Sequence, residues 1–399
     1  MRPAVYRPRP LNGLTVEQKT ESASLFVGLI SGTSMDGVDA ALAAITEDGL
    51  QTLATSTYPY PTTLRDKLAW ITESSCRITV DEFCALDVEL AEHFSSSALQ
   101  LLQKAQIPNE KILAIGSHGQ TIRHRPRGRL RYSLQLGQPS HIAAITQIRT
   151  VADFRSMLIA LGDEGAPLVP PFHQWLFGRN GGQGLILNIG GISNVTVLAE
   201  ASGNRNFGFD LGPGNCLLDM WTERCLSLPF DENGAWGRGG KASQTLLDSM
   251  LSEPYFSRPY PKSTGRELFN LEWLAARIEG LELPAPLSAN DIQATLYQLT
   301  VESTARQIEA LAVPPDLPVY VCGGGARNGY LMECLNSRLP KRRVLTTSEL
   351  GVDPDFVEAL AFAWLARQRF LGIPIEFPEH RQVKRLVLGG LFEPQLHSE

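Results

Sequence analysis

The segment GLISGTSMDGVDAAL, starting at Gly28, joins two apolar runs, residues 25–30 and 38–45, through a turn that holds Gly32, Thr33, Ser34, Asp36 and Gly37. A tight connection between strands needs only one or two residues of the Gly, Asn or Asp type. This turn adds hydroxyls and a carboxylate beyond that need. Three more glycine-bearing turns follow apolar runs, at residues 188–194, 210–215 and 323–329. Glycine lets the backbone approach a ligand closely, and successive N–H groups of such a turn can converge on an anion. Four turns of this kind at strand ends point to phosphate binding, which needs donors from several sides. Neither common nucleotide motif is present: G-x-x-x-x-G-K-[ST] does not occur, and GGGARNG at 323–329 lacks the G-x-G-x-x-G spacing.

The elements that must position these turns alternate along the chain. The first apolar pair reads as a hairpin, and helical patterns follow over 64–74 and 80–106. KILAIGSHGQT reads as a buried strand that ends in a polar cluster from Ser117 to Thr121. YSLQLGQPSHIAAIT predicts a strand, a glycine turn and a helix, and TVADFR another strand. GDEGAPLVPP, residues 162–171, is rich in Gly and Pro and is expected to be a domain junction. Beyond it, GLILNIGGISNVTVLA repeats the plan of the first hairpin, which predicts two similarly built halves. NFGFDLGPGNCLLDMW predicts a strand ending at Asp210, a Gly-Pro-Gly turn and a helix from about Asn215. An amphipathic helix is expected over 292–312, opened by a capping box of Asn290 and Gln293. PVYVCGGG then reads as a strand, DFVEALAFAWLA as a helix, and RLVLGGL as a closing strand that returns to the first half. Strands alternating with long helices indicate an α/β fold.

The bulk composition narrows the function classes. A chain of 399 residues suggests two domains. A net charge of −6 gives no footprint for nucleic acid or for an anionic membrane. No apolar run approaches the ~20 residues of a membrane span, and residues 1–24 lack the apolar core of a secretory signal. The six cysteines form no C-x-x-C pair and read as reduced thiols, which predicts a cytoplasmic protein.

GLISGTSMDGVDAAL closely resembles the phosphate-loop signature of the anhydro-N-acetylmuramic acid kinases. SHGQT, ADFR, NIGGISN, GFDLGPGN, GGGARN and VEALAFAWLA are similar to that family's other blocks, in the same order. The resemblance runs from about Leu25 to Leu391. Residues 1–24 and the loop around 252–262 are read as lying outside it. Leu211 stands where the family commonly has threonine, which would remove a hydroxyl near the site. The resemblance implies two ribonuclease-H-like lobes of the actin/hexokinase/Hsp70 type with an interdomain active-site cleft. The expected division is a flexible extension at 1–24, lobe I at 25–161 plus 380–399, and lobe II at 162–379.

The resemblance also implies a reaction. With ATP, the 1,6-anhydro ring of 1,6-anhydro-N-acetylmuramic acid would open as water adds at C1 and O6 takes the γ-phosphoryl group, in the recycling of cell-wall peptidoglycan. That chemistry needs a base, a phosphate cradle, Mg²⁺ and grips on the sugar. Asp210, ending an apolar strand ahead of Gly-Pro-Gly, is expected to be the base. Gly32, Thr33, Ser34, Met35, Asp36, Gly37, Val38 and Asp39 would form the loop over the β- and γ-phosphates, with Asp36 orienting Mg²⁺ through water. Gly190, Gly191 and Asn194 would form the opposing loop, joined by Gly212, Gly214 and Asn215. Gly323, Gly324, Gly325 and Asn328 would approach the adenosine. His118, Gln120, Thr121, Arg155 and Glu358 are the sugar candidates, Arg155 suiting a lactyl carboxylate because a guanidinium binds one bidentately. A homodimer is implied by resemblance alone. The competing readings are a related kinase for another sugar or small acid, an ATP-driven conformational switch, and a degenerate pseudoenzyme.

Overall fold

The computed structural model describes residues 23–72, 76–198, 207–282, 286–377 and 385–394. Nearly all of the expected extension at 1–24 lies outside the described residues. β1 (Ser24–Ser31), β2 (Gly37–Ile45) and β3 (Leu50–Pro59) form an antiparallel meander. β4 (Ile112–Arg125) lies parallel to β1, and its distal half pairs with β5 (Tyr132–Leu136). β6 (Thr150–Ala152) runs parallel to β4. In the second half, β7 (Gly184–Ile189), β8 (Ile192–Leu198) and β9 (Phe207–Pro213) form another antiparallel meander, and β10 (Val319–Cys322) and β11 (Val344–Thr346) extend it in parallel from β7. β12 (Ile375–Glu376) pairs with β13 (Arg385–Leu386), and β14 (Gly390–Phe392) returns to β6.

Among the described residues the two large sheets have the orders β14-β6-β4-β1-β2-β3, with β5 beside β4, and β11-β10-β7-β8-β9. Each is a three-strand meander whose first strand carries two parallel strands on its other side. The pattern repeat in the sequence therefore marks a repeat of topology, and the closing strand joins the first sheet as expected.

The chain divides into two compact units, one holding residues up to 180 with 350–352 and 356 onward, the other holding 181–349 with 353–355. The expected divides at 161/162 and 379/380 are thus corrected at both ends. The helix Pro170–Phe177 belongs to the first unit, with Phe172 against Trp364 at 5.9 Å between ring centroids. The helix Val357–Phe370, which contains Trp364, packs on β1, β2 and β4. Its apolar content is nearly continuous because it is covered on all sides, with its residues from Ala359 to Gln368 buried.

One other local reading shifts. The helix expected over 292–312 spans Ala289–Glu309, and its cap is Ser288, whose hydroxyl accepts the Asp291 N–H at 3.1 Å. Asn290 therefore sits inside the helix. The helix Val80–Ala105 carries a complete capping box between Thr79 and Glu82.

The helix Val357–Phe370 meets the first sheet backbone to backbone. Gly28 of β1 and Gly116 of β4 are register partners, so their missing side chains make one bare strip. A Cβ on Gly28 would strike the Ala359 carbonyl, and one on Gly116 would strike the Phe362 carbonyl and come within 3.0 Å of the Ala366 Cβ. Filling a packed contact of this kind forces backbone shifts that cost about 1–3 kcal/mol. Gly116→Ala is therefore expected to lower the urea unfolding free energy by about 1–3 kcal/mol, and an unchanged midpoint would show that the helix can move away freely.

Candidate active site

In the first unit the turn after β1 exposes Ser34 and Asp36 and leaves Gly32 and Thr33 half-buried. The Ser34 hydroxyl donates to Asp36 Oδ1 at 2.8 Å. Met35 adopts a φ of 56°, its N–H closes on the Gly32 carbonyl at 3.3 Å, and its side chain is buried in the core beside Val38. Met35, Gly37 and Val38 thus offer the loop structure rather than side-chain chemistry. Asp39 Oδ1 accepts from the Thr57 hydroxyl at 2.6 Å, tying β2 to β3.

The polar cluster of β4 is brought to this turn by a bulge. Between the pairs Leu29–Ser117 and Ser31–Gln120, β4 carries one residue more than β1. A bulge re-aims the side chains around it, and here it sets Gln120 opposite Ser31. The Ser31 hydroxyl donates to Gln120 Oε1 at 2.6 Å, and Gln120 Nε2 donates to the Gly32 carbonyl at 3.1 Å. Gln120, 1 % exposed, therefore braces the glycine turn; the structure gives it this role rather than that of a sugar grip. Thr121 accepts from Gln135 Nε2 at 3.1 Å, and Glu358 is half-buried in the first turn of its helix.

His118 and Arg155 are in direct contact. Arg155 Nε and Nη2 donate to His118 Nε2 at 3.1 and 2.9 Å, and Arg155 Nη1 donates to the Gly165 carbonyl at 2.7 Å. A guanidinium only donates, so His118 carries its proton on Nδ1, which donates to the Gly119 carbonyl at 2.9 Å. Burial first, and then the Arg155 charge, hold the His118 pKa well below the usual imidazole value. His118 is a neutral acceptor that fixes the arginine.

In the second unit the glycine turns are packed on one another. The carbonyls of Gly190 and Gly191 accept N–H groups from Asn215 at 2.8 Å and from Gly214 and Cys216 at 2.9 and 3.1 Å. Asn215 Nδ2 donates to the Ile189 carbonyl at 3.1 Å. Gly214 and Asn215 thus spend these donors on the neighbouring loop, a departure from their expected phosphate role. Gly323 has a φ of 77°, and a Cβ there would meet Asn188 Oδ1 and the Ile189 carbonyl. Its glycine is required by close approach within the protein. Gly324 is open, with Asn215 Nδ2 the nearest group at 3.7 Å from a Cβ position. Asn328 caps the helix Gly329–Arg338 through the Leu331 N–H and donates to the Tyr297 hydroxyl at 2.8 Å, so its amide is engaged in structure. Asn188 Oδ1, Ser193 Oγ and Asn194 Oδ1, beside the Gly190–Gly191 turn, are buried without a hydrogen-bond partner.

Asp210 lies on β9 and is 5 % exposed. Its Oδ2 accepts the Thr264 N–H at 3.1 Å, its N–H donates to the Lys262 carbonyl at 3.1 Å, and its carbonyl accepts the Tyr255 hydroxyl at 2.7 Å. β9 also bulges here: Ser193 pairs with Gly212 and Asn194 with Asp210, leaving Leu211 as the extra residue. Leu211 is fully buried in the second unit's core with Phe209 and Leu217. The expected loss of a hydroxyl near the site is corrected, since the side chain at 211 fills the core. The contacts from 255, 262 and 264 were not foreseen. They come from a segment without periodicity, whose only signal is a lysine among aromatics and prolines.

Mg²⁺ takes oxygen ligands and keeps most of its water, needing one or two carboxylates alongside substrate phosphates. An exposed Asp36 with a hydroxyl beside it fits such a shared ion. Among the described residues no group of three or more His, Cys, Asp or Glu forms a dedicated metal cage.

Three histidines of the first unit are held neutral by burial. His124 and His173 have pKa values lowered to about 3, His124 also under the charges of Arg155 and Arg125, and His118 lies well below its usual value. The unfolded chain takes up protons near 6.5 that the folded chain refuses, so stability is full above 6.5 and falls as the pH drops below it. Each such group costs up to about 1.4 kcal/mol per pH unit in that range. Urea midpoints measured from pH 7.5 to 4.5 should fall, and His173→Gln should flatten the slope; a slope unchanged by that substitution counts against this origin.

The chain matches the model of the family described as "Anhydro-N-acetylmuramic acid kinase" over residues 24–394. The match includes the loop around 252–262, which is expected to lie outside the resemblance. A curated protein of that name from Shewanella baltica (strain OS223) is 47 % identical over 371 residues, covering 92 % of this chain and 98 % of that one. One from Shewanella loihica (strain ATCC BAA-1088 / PV-4) is 45 % identical over 372 residues, covering 93 % and 99 %. Among solved structures, the activator of 2-hydroxyisocaproyl-CoA dehydratase from Clostridium difficile with bound ADPNP has a TM-score of 0.44 at 11 % identity, covering 87 % and 96 %. Among the described residues no helix is long and apolar enough to cross a membrane. On the match to the family model and the identity to these relatives, the chain belongs to the anhydro-N-acetylmuramic acid kinase family.

Proposed function

We propose that the protein is an ATP-dependent kinase that opens the 1,6-anhydro ring of 1,6-anhydro-N-acetylmuramic acid with water and phosphorylates O6, giving N-acetylmuramic acid 6-phosphate and ADP. The observation that carries this reading is Asp210: an aspartate held at three points on a bulged strand, its carboxylate by the Thr264 N–H and its backbone by Tyr255 and Lys262, in a chain that matches the family over residues 24–394. In this reading Asp210 accepts the proton of the water that adds at C1. The C1–O6 bond breaks, and O6 takes the γ-phosphoryl group from ATP. A general base of this kind contributes about 10²–10⁴-fold to rate.

The other roles follow the geometry of each unit. In the first, the N–H groups of Gly32, Thr33 and Ser34 face phosphate from a turn braced by Gln120. Arg155, oriented by His118, receives the lactyl carboxylate. In the second, Asn188, Ser193 and Asn194 supply polar groups beside the Gly190–Gly191 turn. Asp36 would hold Mg²⁺ through water, and the ion would neutralise phosphate charge. A cytoplasmic place and a homodimer belong to the same reading.

Two outcomes test it. Purified protein given ATP and the anhydro sugar in ¹⁸O-labelled water should yield a phosphorylated, singly labelled product by mass spectrometry, and Asp210→Asn should cut its rate about 10²–10⁴-fold with ATP binding kept. A protein that binds ATP but leaves this sugar unchanged would favour a kinase for another substrate, and one that binds no ATP would end the kinase reading. Asp36→Asn is expected to move the Mg²⁺ dependence of activity to higher concentration by about tenfold with the unfolding midpoint unchanged; an unmoved dependence would place the ion elsewhere.

A further inference from the structure

One loop, residues 255–264, makes the three hydrogen bonds to Asp210 given above, and that loop is itself folded around a buried charge. Lys262 is 2 % exposed. Its Nζ donates to the Tyr255 carbonyl at 3.1 Å and to the Phe256 carbonyl at 3.3 Å, and it stands 4.6 Å from the centroid of the Tyr255 ring. The ammonium thus closes the loop on itself, and the same loop sends the Tyr255 hydroxyl, the Lys262 carbonyl and the Thr264 N–H to Asp210. Burying an ammonium is costly unless it is hydrogen-bonded and compensated. Two carbonyls and a ring face supply part of that compensation, and the Asp210 charge supplies more.

We propose that Lys262 is the positioning residue of Asp210, clamping the loop that aims the carboxylate. The inference rests on Asp210 being the base. The charged and titratable groups that face Nζ are Asp210 from β9 and Arg258 and Tyr255 from its own loop. Burial and Arg258 lower the Lys262 pKa to about 8 while Asp210 raises it, so the ammonium form prevails at neutral pH. An ammonium near a carboxylate favours its ionised form. Removing the charge should therefore move the acid limb of activity upward.

The test compares Lys262→Met, Lys262→Gln and Lys262→Arg with the unaltered enzyme in the labelled-water assay, across pH 4.5 to 8. In Met and Gln, the acid limb of kcat/KM should rise by about one pH unit, and kcat should fall about tenfold or more while KM for ATP stays within about twofold. Arg should leave the limb in place. Gln retains an amide donor for the loop carbonyls, so it reports on charge where Met disturbs folding. An unmoved limb in a folded neutral variant overturns the proposal, as does a failure of both neutral variants to fold. Asp210→Asn separates the two levels. If that variant stays fully active, the base assignment itself is wrong; if it is inactive while the Lys262 variants leave the limb unmoved, only the lysine's role is.

Discussion

The first unit depends on one close contact between backbones. Where Gly28 faces Gly116, the sheet has no side chains, and the helix Val357–Phe370 lies against its peptide planes. Ordinary helix-on-sheet packing keeps the layers apart by the thickness of two side-chain rows. Here the row from the sheet is missing, and alanines at 359, 363 and 366 thin the row from the helix. Phe362 then reaches the His118 ring, 4.8 Å between centroids, so the same helix that fills the core also seats the histidine that fixes Arg155. The position of Glu358, one turn earlier, follows from the same docking.

The second unit shows the same economy in hydrogen bonds. The carbonyls of Gly190 and Gly191 cap the N–H groups at the start of the helix Cys216–Leu226, which would otherwise lack partners. Asn188, Ser193 and Asn194 keep polar atoms unpaired beside this junction. A buried hydroxyl or amide oxygen without a partner costs folding energy.

Much of this was legible in the sequence because it is local. Glycines, hydroxyls and an aspartate between two apolar strands announce a tight strand-to-strand turn, and a second hairpin of the same plan announces a second unit. Asp210 could be picked out because an apolar run leads to it ahead of Gly-Pro-Gly, although the strand does not end there as expected: β9 continues to Pro213. The misreadings have a common origin in distance along the chain. Gln120 braces a turn 88 residues away, and Thr264 holds a carboxylate 54 residues away. No periodicity records such partners. The domain boundary was misplaced for the same reason: the Gly- and Pro-rich segment at 162–171 looks like a junction, yet the helix after it finds its aromatic partner Trp364 far downstream. Leu211 was read by what it replaces, whereas its burial is set by the strand it sits in.

The two bulges, on β4 beside His118 and on β9 at Leu211, place a constraint on how this chain can change over generations. Side chains alternate along a strand, so a strand's length in residues decides which of them turn inward. Losing the codon for Leu211 would restore regular pairing and still leave every chemical group in the gene. It would also exchange the surroundings of the aspartate and its apolar neighbours. Insertions and deletions between Ser117 and Gln120 or between Asp210 and Gly212 would shift every side chain beyond them to the other face. In these two places, what is inherited is a count of residues as much as their identity.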